Sequence, residues 1–332
     1  MACILISVIL LLSPAEIDSI LSEHPANAAF WDSTFQQYSG DTLNCIEHLF
    51  LVIPSEDRDS MTASVLSDHV MGALGSRNTW FQDLEDSVFL NYLLEYRISD
   101  EPLSSYRSAL TGWLDRRIQT RPTPYETAES IVEVVTSNIA LVSSGGMPMS
   151  PTQIIPAGQA SRHGRWVLLC AAMRSMGIPV RPVTGWFPGA DRNLYRWMDI
   201  WNGQEWQPLT RGVPPLQYVK AAIEYPSMNN VTSEYRDTGT LVLNPLTDPN
   251  QGWLVQIQIP SGDDTVSIEG ISLDPFRNET VQLGAGQFIL RTSFYQDDQL
   301  IGQSLQEITI AADSSTSIDL TEAQYEIVPL PR

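Results

Sequence analysis

The residues best suited by type to do chemistry stand in the run SRHGRW, where a long apolar helix is expected to begin. Ser161 and His163 are a nucleophile and a base by type, but a catalytic triad depends on geometry as well as on residue type. Side chains two positions apart on a helix do not face each other. We therefore interpret Ser161 as the helix cap, a common role for serine, and a catalytic Ser161/His163 pair as the minor alternative.

Arginine and aromatic residues are concentrated around the same predicted helix and the strands that follow it. Guanidinium groups at a helix N-terminus oppose the helix dipole, so they favour an anionic ligand or a carboxylate neighbour such as Asp199. Aromatic rings beside them could stack on a sugar. The pattern predicts a cleft for a carboxylate-bearing peptide or a glycan; alternatively, the tryptophans are strand-packing residues and the arginines form surface ion pairs. The residues concerned are Arg162, Arg165, Trp166, Trp186, Tyr195, Arg196, Trp197 and Trp201.

The cysteines and the other histidines give no catalytic or metal-binding pattern. Cys45 and Cys170 fall in apolar helical stretches, where free buried thiols are common, so a disulfide between them is allowed but not implied. Cys170 follows Arg162 by about two helical turns and is expected in the core. We expect no metal ion and no cofactor. The histidines for which a core or surface role is favoured are His24, His48 and His69.

The elements that would position these residues can be read from periodicity and turn signals. Helical spacing runs from about residue 16 to 139, and a Gly/Pro/Ser-rich stretch separates it from a helix at roughly Gly164 to Met176, closed by Gly177. GIPVRPVTGWF then predicts a strand, and Asn202-Gly203 between two aromatic-rich runs predicts a hairpin. Beyond about residue 237, short alternating runs predict a β-sandwich of immunoglobulin-like size.

Residues 158–206 resemble the transglutaminase-like superfamily, whose members have the papain-type cysteine fold. The resemblance rests on AAMRSMGIPVRPV, where the family has an Arg-x-x-Gly-Ile-Pro-x-Arg turn, and on the tryptophan-rich RWMDIWNGQEWQPL. FLNYLLEYRISDEPLSSYR, at 89–107, is similar to the helical region that precedes the domain in some bacterial members. In that family a helix-start cysteine, a histidine on the facing strand and an aspartate form the catalytic triad.

Carried over residue by residue, the family's triad positions hold other residue types in this sequence. The cysteine position falls on Arg162, or on His163 after a shift of one residue. The histidine position falls on Tyr195, and the acid position falls on Thr210. Acyl transfer at neutral pH requires all three groups. The resemblance therefore predicts that Arg162, Tyr195 and Thr210 meet at the N-terminal end of the predicted helix after Ser161, which we call the helix mouth. It also predicts that the helix mouth lacks a nucleophile–base pair.

Composition restricts the partners. The 19 Lys+Arg and 39 Asp+Glu residues give a formal net charge of -20, which repels phosphate backbones, so nucleic acid is not expected as a partner. Ala2 to Leu12 is apolar and precedes Ser13-Pro14-Ala15, as in a secretory signal, although the usual basic residues are missing. The run is too short for a stable membrane span. We expect export to the periplasm, the cell surface or the medium; the alternative is a buried first helix in a cytoplasmic protein.

These features together predict an α+β protein. A signal peptide at 1–15 precedes an α-helical region at 16–140, a transglutaminase-like core at 141–236 with a helix against an antiparallel sheet, and an immunoglobulin-like β-sandwich at 237–332. We expect a pseudoenzyme that acts as a binding or structural module for a peptide or a glycan. One alternative is a hydrolase or acyltransferase of the same fold with a non-standard nucleophile. Another is that the β-sandwich carries binding through its end loops.

Overall fold

A computed structural model describes most of the chain. Residues 1–12, which form most of the predicted signal segment, and the predicted acid position Thr210 lie outside the described residues. The described residues are 13–23, 27–118, 122–143, 149–186, 194–209, 220–223, 229–244, 252–261, 264–272, 277–296, 299–320 and 326–327.

The chain divides into two compact units. The first comprises Met1–Pro182 and Met198–Leu209, and the second comprises Val183–Trp197 and Thr210–Arg332. The division falls inside two strands and does not follow the predicted limits at residues 140 and 236, which stay predictions about domain boundaries.

The first unit is mainly helical, which confirms the predicted helical N-terminal portion. Side-chain caps begin two of its helices: the Thr62 hydroxyl accepts from the amide of Val65, and the Thr123 hydroxyl accepts from the amide of Glu126. A π-helical turn at Phe89–Leu93 follows the short helix Asp86–Val88. The α-helices are α1 Pro14–Glu23, α2 Ala28–Gln37, α3 Gly40–Val52, α4 Ser55–Ser60, α5 Ala63–Ser76, α6 Asp86–Val88, α7 Arg107–Leu114, α8 Pro124–Asn138, α9 Pro151–Ala157 and α10 Arg162–Ser175.

Helix α10 is the centre of the first unit's core. Every residue from Trp166 to Ser175 is buried, because other elements surround the helix along this length. Its apolar side chains share one cluster with residues of α7, α8 and α9, and with Met198 and Ile200 of the strand Leu194–Trp201. A helix that is apolar on all sides belongs in the interior of a domain, so the long apolar run in the sequence finds its explanation here.

The C-terminal end of α10 turns sharply into the sheet. Gly177 has a φ of 75°, and a Cβ at this position would lie 2.6 Å from the carbonyl oxygen of Ser76, so glycine is required on both counts. The hairpin expected at Asn202-Gly203 is confirmed: Met198 pairs with Leu209 across it in an antiparallel register. The strands of the chain's first two thirds are β1 Ala140–Leu141, β2 Gln159–Ala160, β3 Val180–Trp186, β4 Leu194–Trp201, β5 Trp206–Leu209, β6 Lys220–Ile223 and β7 Asn229–Asn230.

The strands that the structure describes after residue 237 form two sheets, which bury one apolar core. One sheet has the strand order β10 (Asp264–Ser272), β9 (Gly252–Ser261), β12 (Gly286–Gln296), β13 (Gln299–Ile310) and β15 (Glu326–Ile327), and the other has the order β11 (Glu279–Gly284), β8 (Thr238–Asn244) and β14 (Ser315–Asp319). Leu241 and Leu283 of the second sheet join Ile257, Phe288 and Ile308 of the first in a single buried cluster, which confirms the predicted β-sandwich.

Candidate functional site

The N-terminal end of α10 is held in place by a serine cap and close packing. Ser161 takes an extended conformation and its Oγ accepts from the amide of Gly164 at 3.0 Å, which confirms the predicted capping role. A Cβ on Gly164 would lie 3.4 Å from side-chain atoms of Ala160 and Ile154, so little room remains at the first turn. The parallel pair β1–β2 leads directly into this cap.

Two basic residues follow the cap and face different surroundings. Arg162, the first residue of α10, is exposed. His163 is partly buried, and its Nε2 lies 3.0 Å from Oδ1 of Asp100. Burial raises the pKa of the Asp100 carboxyl, but hydrogen bonds, first among them the one with His163, outweigh burial and bring that pKa below its usual value. The ring of His163 also lies 5.6 Å from that of Trp166, centroid to centroid.

The other two residues predicted at this helix mouth are directed into the protein. Arg165 donates from Nη2 to the carbonyl oxygen of Ile139 at 2.5 Å, and burial lowers the pKa of its guanidinium. Trp166 is buried within the main cluster of the first unit. Both side chains therefore help to pack α10 against the end of α8, and Arg162 is the basic side chain that remains exposed on the first turn.

The described cysteines lie away from the helix mouth. Cys170 is fully buried in the middle of α10, about 12 Å along the helix from Arg162. Cys45 is buried in α3, and burial raises the pKa of its thiol to about 12. The two cysteines are not joined, so the disulfide that the sequence allowed is not formed. A thiol with a raised pKa and no exposure is a poor nucleophile.

The predicted site residues on β3 and the first half of β4 belong to the second unit. Trp186 and Trp197 are buried, and the ring of Trp197 meets that of Tyr235 edge to face at a centroid distance of 5.4 Å. Tyr195 is partly buried and Arg196 is exposed. The two tryptophans thus have the packing role that the sequence left open. The convergence of Arg162, Tyr195 and Thr210 stays a prediction.

Asp199 forms a buried ion pair with a residue that the sequence did not single out as its partner. Its Oδ2 lies 2.9 Å from Nε of Arg181, and both side chains are almost completely shielded from solvent. The Arg181 guanidinium carbon also lies 4.7 Å above the ring of Trp206. A buried arginine needs such a carboxylate, so Asp199 supports the turn after α10.

Comparison with known families supports the resemblance. Residues 113–210, which include α8, α10 and the β4–β5 hairpin, match the profile of the transglutaminase-like superfamily. This part of the chain is a transglutaminase-like domain. No curated protein sequence matches the chain.

Three solved structures are similar to the chain, each with low sequence identity and a low TM-score. A candidate cysteine protease from Cytophaga hutchinsonii is 13% identical, with a TM-score of 0.33, over 74% of this chain and 63% of its own. A candidate protease from Parabacteroides distasonis is 10% identical, with a TM-score of 0.31, over 64% of this chain and 50% of its own. A minor pilin from Streptococcus agalactiae is 12% identical, with a TM-score of 0.22, over 47% of this chain and 85% of its own. The chain thus spans less than two thirds of the first two proteins.

A buried polar cluster fixes the segment before the transglutaminase-like domain to the C-terminal end of α10. Arg107 donates to the backbone carbonyls of Leu93, Leu94 and Glu95, and also to that of Arg174 at 3.0 Å. Arg174 in turn donates to the carbonyl oxygen of Arg97 at 2.8 Å. We call this arrangement the arginine clamp. It lies within the two stretches that carried the resemblance, 89–107 and AAMRSMGIPVRPV, but their pairing across the sequence was not predicted.

Two titratable groups are enclosed by the arginine clamp. Glu95 is 1% exposed and burial raises the pKa of its carboxyl to about 7, although Arg174 and Arg107 counteract the rise. His69 is fully buried, and burial together with Arg107 lowers its pKa to about 3. Its Nδ1 accepts from Nε of Arg107 and its Nε2 donates to the carbonyl oxygen of Ser104 at 3.0 Å, as a neutral imidazole can.

Metal binding and membrane crossing find no support in the described part of the chain. No group of three or more His, Cys, Asp or Glu side chains there is arranged to hold a metal ion. No helix among the described residues combines the length and apolar character that a bilayer crossing requires.

Proposed function

We propose that the chain is a catalytically inactive transglutaminase-like protein that binds a carboxylate-bearing peptide at the N-terminal end of α10. The observation that carries this proposal is the exposed Arg162 at the first position of α10, where the family's cysteine would stand. The nearest cysteine along the helix, Cys170, is fully buried. A helix start without a thiolate cannot perform the family's acyl transfer.

The chemistry at this end of the helix favours an anion. The first backbone amides of α10 and the positive end of its dipole attract a negative charge, and the Arg162 guanidinium can bind a carboxylate with two parallel hydrogen bonds. The chain as a whole has a net charge of -20, so a positive first turn is a local exception that would select for an anionic group.

A second candidate function is hydrolysis or acyl transfer with Ser161 as nucleophile. The hydrogen bond between His163 and Asp100 favours it, because a histidine oriented by a carboxylate is the base half of a catalytic triad. Against it, the Ser161 oxygen is engaged as the helix cap, and residues two positions apart do not face each other. Binding therefore remains the better supported proposal.

Calorimetric titration with a short peptide carrying a free C-terminal carboxylate, and with its amidated twin, tests the binding function. We expect the free peptide to bind the wild type and to bind Arg162→Ala at least about tenfold more weakly, because one bidentate pair is lost. Arg116→Ala, which removes another exposed arginine of the same unit, should bind like the wild type. Equal binding of both peptides, or equal binding by Arg162→Ala, would contradict the proposal.

The same preparation decides between the two candidate functions. Wild-type protein is incubated with fluorogenic peptide and ester substrates and with an acyl donor plus a primary amine. The binding function predicts no turnover above that of Ser161→Ala. Turnover that disappears in both Ser161→Ala and His163→Ala would instead establish the enzymatic alternative.

A further inference from the structure

A pocket between α2, α3 and α5 lies in the part of the first unit that precedes the transglutaminase-like domain. Its volume is about 120 Å³ and it opens to solvent on one side. Its floor is formed by buried side chains, among them Ile46, Leu66 and Val70. Its rim carries the rings of Phe30 and Tyr38, which are only partly buried. The pocket is thus apolar at its base and aromatic at its mouth.

The rim also carries polar groups that are uncharged and available. Among the described residues, the side chains of Gln37, Tyr38, Thr42 and Ser67 form no hydrogen bond with another protein group. None of the described side chains that line the pocket is ionisable at neutral pH, although the whole chain contains 39 acidic residues. A lining of this kind offers hydrogen bonds to a neutral group and gives no partner to an ion.

The volume and the aromatic mouth together restrict the ligand. A protein cavity of about 150 Å³ lined by apolar side chains holds one benzene molecule, so this pocket has room for a single ring. Phe30 and Tyr38 favour an aromatic ring, and the exposed Met71 can place its sulfur against the ring edge. We propose that this pocket binds a small uncharged molecule with one aromatic ring and one hydroxyl group, of the phenol class.

The positions of the apolar and polar residues that line the pocket determine how the ligand would be oriented. The ring enters toward Leu66 and Val70, where it displaces water from apolar surface, and the hydroxyl stays at the rim within reach of Ser67 or Thr42. A ligand with only seven non-hydrogen atoms binds weakly even in a good pocket, so we expect a Kd on the order of 1 mM for phenol.

Ligand-observed NMR titration and calorimetry with phenol test the proposal on the full chain. Ser67→Phe places a ring in the mouth of the pocket from an exposed helical position, and Ala63→Phe blocks the same rim from a second position. Ser64→Phe, exposed on the same helix but outside the lining, is the matched control. We expect saturable binding to the wild type and to Ser64→Phe, and binding at least about tenfold weaker to the two blocked variants.

Two further ligands test the chemical class. Benzoate has the ring but carries a charge, and cyclohexanol has the hydroxyl but lacks aromaticity; each should bind at least about fivefold more weakly than phenol. The proposal is overturned if phenol shows no saturable binding, or if both blocked variants bind phenol like the wild type. Benzoate binding as tightly as phenol would overturn the uncharged class, and equal binding of cyclohexanol would overturn the aromatic one.

Discussion

Replacing Glu95 by glutamine is expected to make the protein more stable at alkaline pH without a matching gain at acidic pH. Glu95 is 1% exposed, and neither of its carboxylate oxygens has a hydrogen-bond partner among the described residues. Burial raises its pKa from 4.5 to about 7, even though Arg174 and Arg107 attract the ionised form. The folded protein therefore prefers the neutral carboxyl, and glutamine imitates that neutral form permanently.

The direction in which stability changes with pH follows from the direction of the Glu95 pKa shift. A carboxyl whose pKa is raised by folding contributes stability that is fully present below its unfolded pKa and is lost as the pH rises through its folded pKa. For Glu95 that window runs from 4.5 to about 7. A shift of this size corresponds to roughly 3 kcal/mol, of which between about 2 and 3 kcal/mol is lost between about pH 5 and about pH 8.

Other groups in the arginine clamp titrate as well. The pH dependence of the free energy of unfolding must therefore be compared between wild type and variant, because the wild-type curve alone combines several groups. His69 has a lowered pKa of about 3, and its contribution is lost as the pH falls from its usual range toward that value. Burial also raises the pKa of Tyr106, outside this window. These contributions are common to wild type and variant. The difference between the two curves therefore isolates residue 95.

The assay is urea unfolding of wild type, Glu95→Gln and Glu133→Gln from about pH 5 to about pH 8. The free energy of unfolding of Glu95→Gln should rise relative to wild type by between about 2 and 3 kcal/mol across this range. The buried amide can add a constant cost of about 1 to 3 kcal/mol, which moves the curve without changing its slope. Glu133→Gln removes the same charge from an exposed position on α8 and should run parallel to wild type. Parallel curves for all three proteins would refute the reasoning.

Three further outcomes follow from individual positions. Gly177→Ala should lower the free energy of unfolding by roughly 2 to 4 kcal/mol, whereas Gly75→Ala, where an added Cβ meets nothing, should raise it by up to about 1 kcal/mol; urea unfolding measures both. Cys45 and Cys170 should resist iodoacetamide in the folded protein and react in guanidinium chloride, as mass spectrometry would detect. Asp100→Asn should lower the free energy of unfolding by less than about 1 kcal/mol at neutral pH. The difference in stability from wild type should vanish as the pH falls through the lowered pKa of Asp100, because protonation then removes the same charge in wild type.

Local features of the fold were predictable because they depend on neighbours in sequence. The apolar length of α10, its serine cap at Ser161 and its glycine stop at Gly177 each reflect interactions within a few residues. The same holds for the Asn202-Gly203 hairpin and for the alternation that predicts the β-sandwich. Periodicity and turn chemistry were sufficient to predict the local structure here, because the tertiary packing agrees with the local preference of the residues.

The long-range pairings of the candidate site could not be predicted in the same way. His163 and Asp100 are 63 residues apart, and Arg174 and Arg97 are 77 residues apart. The sequence around each of these residues does not indicate its partner, because each residue type is equally compatible with an exposed position. Asp199 is the clearest case. The sequence analysis considered it as a carboxylate neighbour for the basic residues at the helix mouth, and the structure pairs it with Arg181 in the strand after α10.

The buried charges of Arg174 and Arg181 lie at the C-terminal end of α10 and in the strand that follows it. The arginine clamp joins the segment before the domain to α10, whereas the Arg181–Asp199 pair lies within the domain. Removing either partner of a buried ion pair is strongly destabilising. Arg174 is twelve residues after Arg162, about 18 Å along α10. The exposed first turn, in contrast, contributes a serine cap and one partly exposed ion pair to stability. Substitutions on the exposed side of this first turn should therefore change the stability of the fold little.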